Sequence, residues 1–134
     1  MLLKAYPAIF SPEEDGGYFI KFPDVKLGYT EMHEEDDIAF GISMAEEVLG
    51  LGLIDYIENG EALPLPTPIG DLKAPSGGFV TMVKVDLEEY LKDMTPVKKT
   101  LMIPKWVNKL GNRCGVNFSK LLTEAIIAEN LNKK

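Results

Sequence analysis

The spacing of apolar positions divides the chain into short strand-like runs, one long helical stretch and a terminal strand-helix-helix segment. The opening run LLKAYPAIF is rich in aromatic and branched apolar side chains, and YFIKFP follows it after EEDGG. Two such runs on either side of a Gly-Gly pair predict a hairpin. GYTEM is expected to add a short third strand. Next, Ile38, Ile42, Ala45, Val48, Leu49, Leu53 and Ile57 recur three and four apart, which predicts an amphipathic helix through about residue 58 with that face over the sheet. Glu34, Glu35, Asp36 and Asp37 introduce it, with the charge that a helix N-terminus favours. Gly41, Gly50 and Gly52 each weaken a helix by about 1 kcal/mol relative to alanine. A break near Gly50 is therefore expected, whereas Gly41 suits close packing on the strands.

The stretch GEALPLPTPIGDLKAPSGG carries four of the nine prolines and reads as a surface loop. FVTMVKV alternates as a strand does, and DLEEYLKDM reads as a short helix with Asp86 as N-cap and Glu89 at its third position. Thr95 and Pro96 mark a boundary, because charge and composition both change there. Beyond it come a strand, KKTLMI, a helix opened by Pro104 and running to about Cys114, a stop at Gly115, and a second helix over NFSKLLTEAIIAENL. A unit of this size cannot cover Leu101, Ile103, Trp106, Leu110 and Leu122 by itself, so these are assigned to the core of a homodimer. Antiparallel pairing of two such strands turns Leu101 and Ile103 inward and presents Lys98, Thr100 and Met102 on the other face.

Charge sharpens the division. The 134 residues carry a net −7, but residues 1–95 hold 6 Lys and 19 Asp or Glu, and residues 96–134 hold 8 Lys or Arg and 2 Glu. An acidic body attracts basic proteins and repels phosphate, while a basic tail attracts nucleic acid or acidic protein surfaces. One cysteine, Cys114, and one histidine, His33, allow neither an internal disulfide nor a zinc set. No cofactor or metal is expected. No run is long and apolar enough to span a bilayer, and the first residues lack a signal-peptide pattern, so no membrane partner and a cytoplasmic location are expected.

Residues 97–131 resemble a ribbon-helix-helix domain of the Arc/MetJ type. The resemblance implies a dimeric two-stranded ribbon in the DNA major groove. Lys98, Thr100 and Met102 would then face the bases. Asn117 would cap the second helix, and the N–H groups of Phe118 and Ser119 would hold a backbone phosphate. Met102 stands where that family usually carries a more polar residue, and offers an apolar contact to a thymine methyl.

The rest of the chain, with YPAIF, DGGYFIKFPDV, the acidic helix and LPLPTP, is similar to the N-terminal domain of HicB antitoxins. The resemblance implies an α+β fold: a small antiparallel sheet with one main helix, related to a truncated RNase H fold, followed by the ribbon-helix-helix. It assigns residues 1–95 to binding a HicA-like small basic mRNA-cleaving toxin. Residues 96–134 are assigned to dimerisation and operator binding, with assemblies larger than a dimer left open. Members commonly read FPDLPGCFTQG, with a turn-forming threonine before the helix; FPDVKLGYTEMHEEDD keeps the core pattern without that cap.

A second reading is a stand-alone ribbon-helix-helix repressor whose acidic domain senses a ligand or oligomerises, and a third is a degenerate RNase H-like nuclease. The third needs carboxylates converging on metal ions, and Glu34 to Asp37, being contiguous, would spread around a helical turn. Asp15 and Asp24 read as turn residues beside Gly16 and Pro23. His33 reads as a surface or cap residue, and Cys114 as a small core residue. Trp106, on the first turn of its helix, belongs to the dimer core. No residue is assigned to catalysis.

Overall fold

The computed structural model describes residues 1–91, 93 and 95–131. The chain forms two compact units, Met1–Lys92 and Asp93–Lys134. In the first, four strands form one antiparallel sheet in the order β3-β2-β1-β4: β1 (Leu3–Pro12), β2 (Tyr18–Lys21), β3 (Tyr29–Met32) and β4 (Phe79–Asp86). One long helix, α1 (Ile38–Glu58), separates β3 from β4.

The hairpin forms where the sequence places it. Asp15 accepts a hydrogen bond from the Gly17 N–H at 3.0 Å, and Gly16 takes a left-handed φ of 95°. Gly17 has a different necessity: any Cβ there would run into the Met32 carbonyl oxygen. Register then aligns the core. Phe10 lies opposite Ile20 on β2 and Phe79 on β4, and Tyr6 lies opposite Val83. Phe10, Ile20, Val83 and Val85 are buried, with the Phe10 and Phe79 rings stacked at 4.5 Å. Each such side chain stabilises the fold by about 1.5–3 kcal/mol relative to an exposed one.

α1 runs unbroken through Gly50, contrary to the break expected there. Its glycines are contact points. A Cβ on Gly50 would meet the Tyr90 ring at 2.5 Å, and a Cβ on Gly41 would meet the Met32 sulfur. The close approach of those partners offsets the intrinsic cost of glycine in a helix. Packing on the sheet begins at Gly41, followed by Ala45, Leu49 and Leu53. Ile38 and Ile42, expected inside, are 46% and 36% exposed: Ile38 lies in the turn before that contact, and Ile42 at its N-terminal edge.

The four acidic residues 34–37 precede the helix instead of lying on it. Asp37 is the N-cap and accepts from the Phe40 N–H at 2.8 Å, filling the role of the absent threonine. Asp36 accepts from the His33 N–H at 2.9 Å.

The proline-rich stretch is a loop with one 3-10 turn at Ile69–Asp71, and it is tied down at two points. The Tyr6 hydroxyl donates to the Pro64 carbonyl at 2.6 Å, and Asp24 accepts from the Thr67 N–H at 2.9 Å and its hydroxyl at 2.5 Å. Asp24 is thus a long-range clamp, not merely a turn residue. Burial, then Asp24 and Tyr56, push the Tyr6 phenol up to about 12, so it stays a donor. After β4 the expected short helix is a single 3-10 turn, Leu87–Glu89, with Asp86 accepting from the Glu88 N–H. Lys92 and Met94, at the end of that expected helix, lie outside the described residues.

The second unit holds α2 (Lys105–Arg113) and α3 (Phe118–Leu131). α2 ends in a Schellman turn: the Val116 N–H bonds the Gly111 carbonyl, the Gly115 N–H bonds the Asn112 carbonyl, and Gly115 has φ 68°. The two helices meet where the Phe118 ring lies over Gly111, close enough that a Cβ there would sit 2.6 Å from the ring. Cys114, expected in the core, is exposed because it occupies the C-cap position of α2.

Candidate binding surfaces

Residues 95–104 form no regular secondary structure, so the strand expected over 98–103 is not made within one chain. A strand needs a partner for its N–H and C=O groups, and this unit contains no second strand among its described residues. Every residue of the segment is exposed, but the degree of exposure alternates over 101–103. Met102 is 97% exposed, while Leu101 and Ile103 on either side are 52% and 45% exposed. Lys98 and Thr100 are exposed with Met102.

The residues assigned to a dimer core, Leu101, Ile103, Trp106, Leu110 and Leu122, are all exposed in the single chain. Phe118, Leu121 and Ile126 join them. This amounts to an apolar surface without internal cover, of the kind that marks an interaction site.

At the start of α3 the Asn117 side chain accepts from the Lys120 N–H at 3.1 Å. The Phe118 and Ser119 N–H groups make no hydrogen bond among the described residues. A cap that leaves two N–H groups at the positive end of a 14-residue helix provides donors for an anion.

The body presents a different chemistry. Glu13, Asp15, Glu31 and His33 gather at one end of the sheet, with His33 Nδ1 3.7 Å from Asp15. Loss of solvation, and then a hydrogen bond with Glu31, push the Glu13 carboxyl above its ordinary value. Lys26 is spoken for: its ammonium pairs with Glu61 at 3.1 Å, which raises its pKa. Among the described residues no group of three or more His, Cys, Asp or Glu is placed to hold a metal ion, and no helix is long and apolar enough to cross a membrane. The clamp between Asp24 and Thr67 and the cap at Asp37 were not legible as such: the first joins residues 43 apart, and the second stood in a run of four equivalent acids.

No protein-family model matches the chain. It is 35% identical over 65 residues to a protein of Photorhabdus laumondii named antitoxin HicB 1; the match covers 48% of this chain and 40% of that protein, so the chain spans less than half of that curated relative. Among solved structures, a toxin-antitoxin complex from Streptococcus pneumoniae contains a chain 35% identical to this one, matched over 96% of this chain and 99% of that chain with a TM-score of 0.59. A crystal structure of antitoxin HicB3 shares the fold at 23% identity, with 96% and 98% covered and a TM-score of 0.51.

Proposed function

The chain belongs to the HicB family of antitoxins, and on that premise we propose that it neutralises a HicA-like mRNA-cleaving toxin and represses its own operon. Residues 1–95 bind the toxin, and residues 96–134 bind operator DNA. The observation that carries this reading is the opposition between a closed, acidic body and a basic unit whose apolar side chains are open. A basic ribonuclease must expose a cationic surface to hold RNA. An acidic protein of complementary shape occupies that surface, meets it quickly and competes with the anionic substrate. The body, in this reading a truncated RNase H-like fold, acts by occlusion and not by chemistry.

The open unit calls for a second copy. Two chains pair residues 98–103 antiparallel, which satisfies the ribbon's backbone groups and encloses Leu101, Ile103, Trp106, Leu110 and Leu122. Lys98, Thr100 and Met102 then lie together on the outer face of the ribbon, at the size and shape the major groove accepts. The Phe118 and Ser119 N–H groups, beside the Asn117 cap, hold a phosphate and fix the register on the duplex. Dimers on adjacent half-sites give larger assemblies.

The test is to tag the chain in its own host, purify it under native conditions, and assay the co-purified small basic protein alone for RNA cleavage. Cleavage quenched by adding the chain back supports the antitoxin reading. Sequence-specific DNA binding without any such partner replaces it with a stand-alone repressor.

A further inference from the structure

α1 carries a second apolar stripe that the body's core does not use. One side of the helix, Gly41, Ala45, Leu49 and Leu53, is buried. On another side Phe40, Met44, Glu47, Leu51, Asp55 and Glu58 succeed one another three or four residues apart, so they form a single ridge about 27 Å long at 1.5 Å per residue. Phe40 is 51% and Leu51 52% exposed, the three acids are exposed, and Met44 is half-buried. The outward face of a helix packed on a sheet is ordinarily polar. This one combines three large apolar side chains with three carboxylates.

The charge around the ridge is predominantly negative: Lys26 lies within electrostatic reach of Asp55, but its ammonium is already paired with Glu61. Residues 27–72, which include all of α1, hold eleven Asp or Glu and neither Lys nor Arg. The sheet's other face differs. Lys21 and Lys84 are exposed there, on strands whose alternate residues Ile20, Val83 and Val85 point into the core. Nucleic acid and anionic lipid are repelled by an all-acidic ridge, and so is a second copy of the same ridge. A basic protein with an apolar groove satisfies both halves of the pattern: its groove takes the apolar side chains and its Lys or Arg rim meets the acids.

We propose that the Phe40–Glu58 ridge of α1 is the surface on which the basic toxin docks, with Phe40 and Leu51 as anchors and Glu47, Asp55 and Glu58 paired to its cations. This rests on the antitoxin reading above and specifies where on the body the contact falls. Exposed aromatic and aliphatic anchors of this kind carry most of the energy of an interface, and the surrounding acids govern its rate and salt dependence.

The test uses the full chain and the small basic protein that co-purifies with it, separated from the complex and refolded, with affinity measured by titration at two salt concentrations. F40A/L51A should weaken binding at least about thirtyfold, and E47K/D55K should slow association and flatten its salt dependence. F19S/M82S, on exposed positions of the opposite sheet face, should bind as the unmodified chain does. All of these are surface positions, and an unchanged circular dichroism spectrum excludes unfolding as the cause. If the unmodified chain binds but both α1 variants bind equally well, the ridge is wrong and the antitoxin reading stands. Loss of binding in F19S/M82S alone moves the contact to the other face and also overturns the ridge. If the unmodified chain does not bind the toxin, the antitoxin reading falls and the ridge with it.

Discussion

Phe10, Ile20, Leu49 and Leu53 in the body have no exposed surface, whereas Leu101, Trp106, Leu121 and Ile126 in the C-terminal unit keep 52% to 69% of theirs. All the buried hydrophobic residues of the described chain lie between Leu2 and Leu87. The sequences of the two regions are about equally rich in large apolar side chains, so composition does not separate them. Topology does. Four strands and a 21-residue helix close on themselves. An unpaired extended segment and two helices leave one side open. The body therefore has a core of its own, while in the proposed dimer the second unit would gain much of its stability from association, and that part would depend on concentration.

The largest expected effect on this contrast comes from cavities. Leu53→Ala, at a fully buried site, should cost the body about 2–5 kcal/mol, read as a lower midpoint in urea, and should leave the oligomeric state unchanged. Leu122→Asp should do the reverse, converting dimer to monomer in sedimentation equilibrium without moving the body's own unfolding transition. Were both variants to shift both readouts together, the two units would be one cooperative structure and the contrast would collapse.

Smaller effects sharpen it. Lys98→Ala and Thr100→Ala should each weaken operator binding by about 1–3 kcal/mol while the dimer persists, as gel-shift titrations at fixed salt would show. Asn117→Ala should lose about 1 kcal/mol of stability through the α3 cap and should weaken DNA binding equally on all sequences. The smallest effect belongs to Asp86, whose carboxyl is held below its ordinary value by the Leu2 N–H at 3.0 Å and then by the Glu88 N–H. A lowered folded value means the contribution is fully present above the ordinary carboxylate range and disappears on acidification. The melting-temperature gap between the unmodified chain and Asp86→Asn should therefore narrow as pH falls through that range. A gap that is constant with pH would show that the ionised carboxylate is not the source.

The body's strands and the existence of α1 were legible because they obey local periodicities of two and 3.6. What was not legible depended on distant partners. Gly50 reads as a helix breaker until Tyr90 is found lying against it, and Ile38 reads as core until the contact is seen to begin at Gly41. In the second unit, Pro104, Gly115 and Asn117 announce both helices correctly. The strand over 98–103 failed to form for a reason local pattern cannot express, since alternation specifies a strand only where something pairs with it. The charge division between the regions was plain in composition. The acidic ridge on α1 was not, because its apolar members Phe40, Met44 and Leu51 fall outside the stripe of apolar positions whose spacing predicts the helix.

The unpaired segment over 95–104 has a consequence for how long the molecule lasts. An extended, exposed stretch ahead of two helices is the shape a protease active site accepts. If the proposed dimer pairs this stretch into a ribbon, a chain without a partner would present that shape continuously and a paired one would hide it. At low concentration each copy would then be cut sooner, so a falling supply of the protein would hasten its own disappearance.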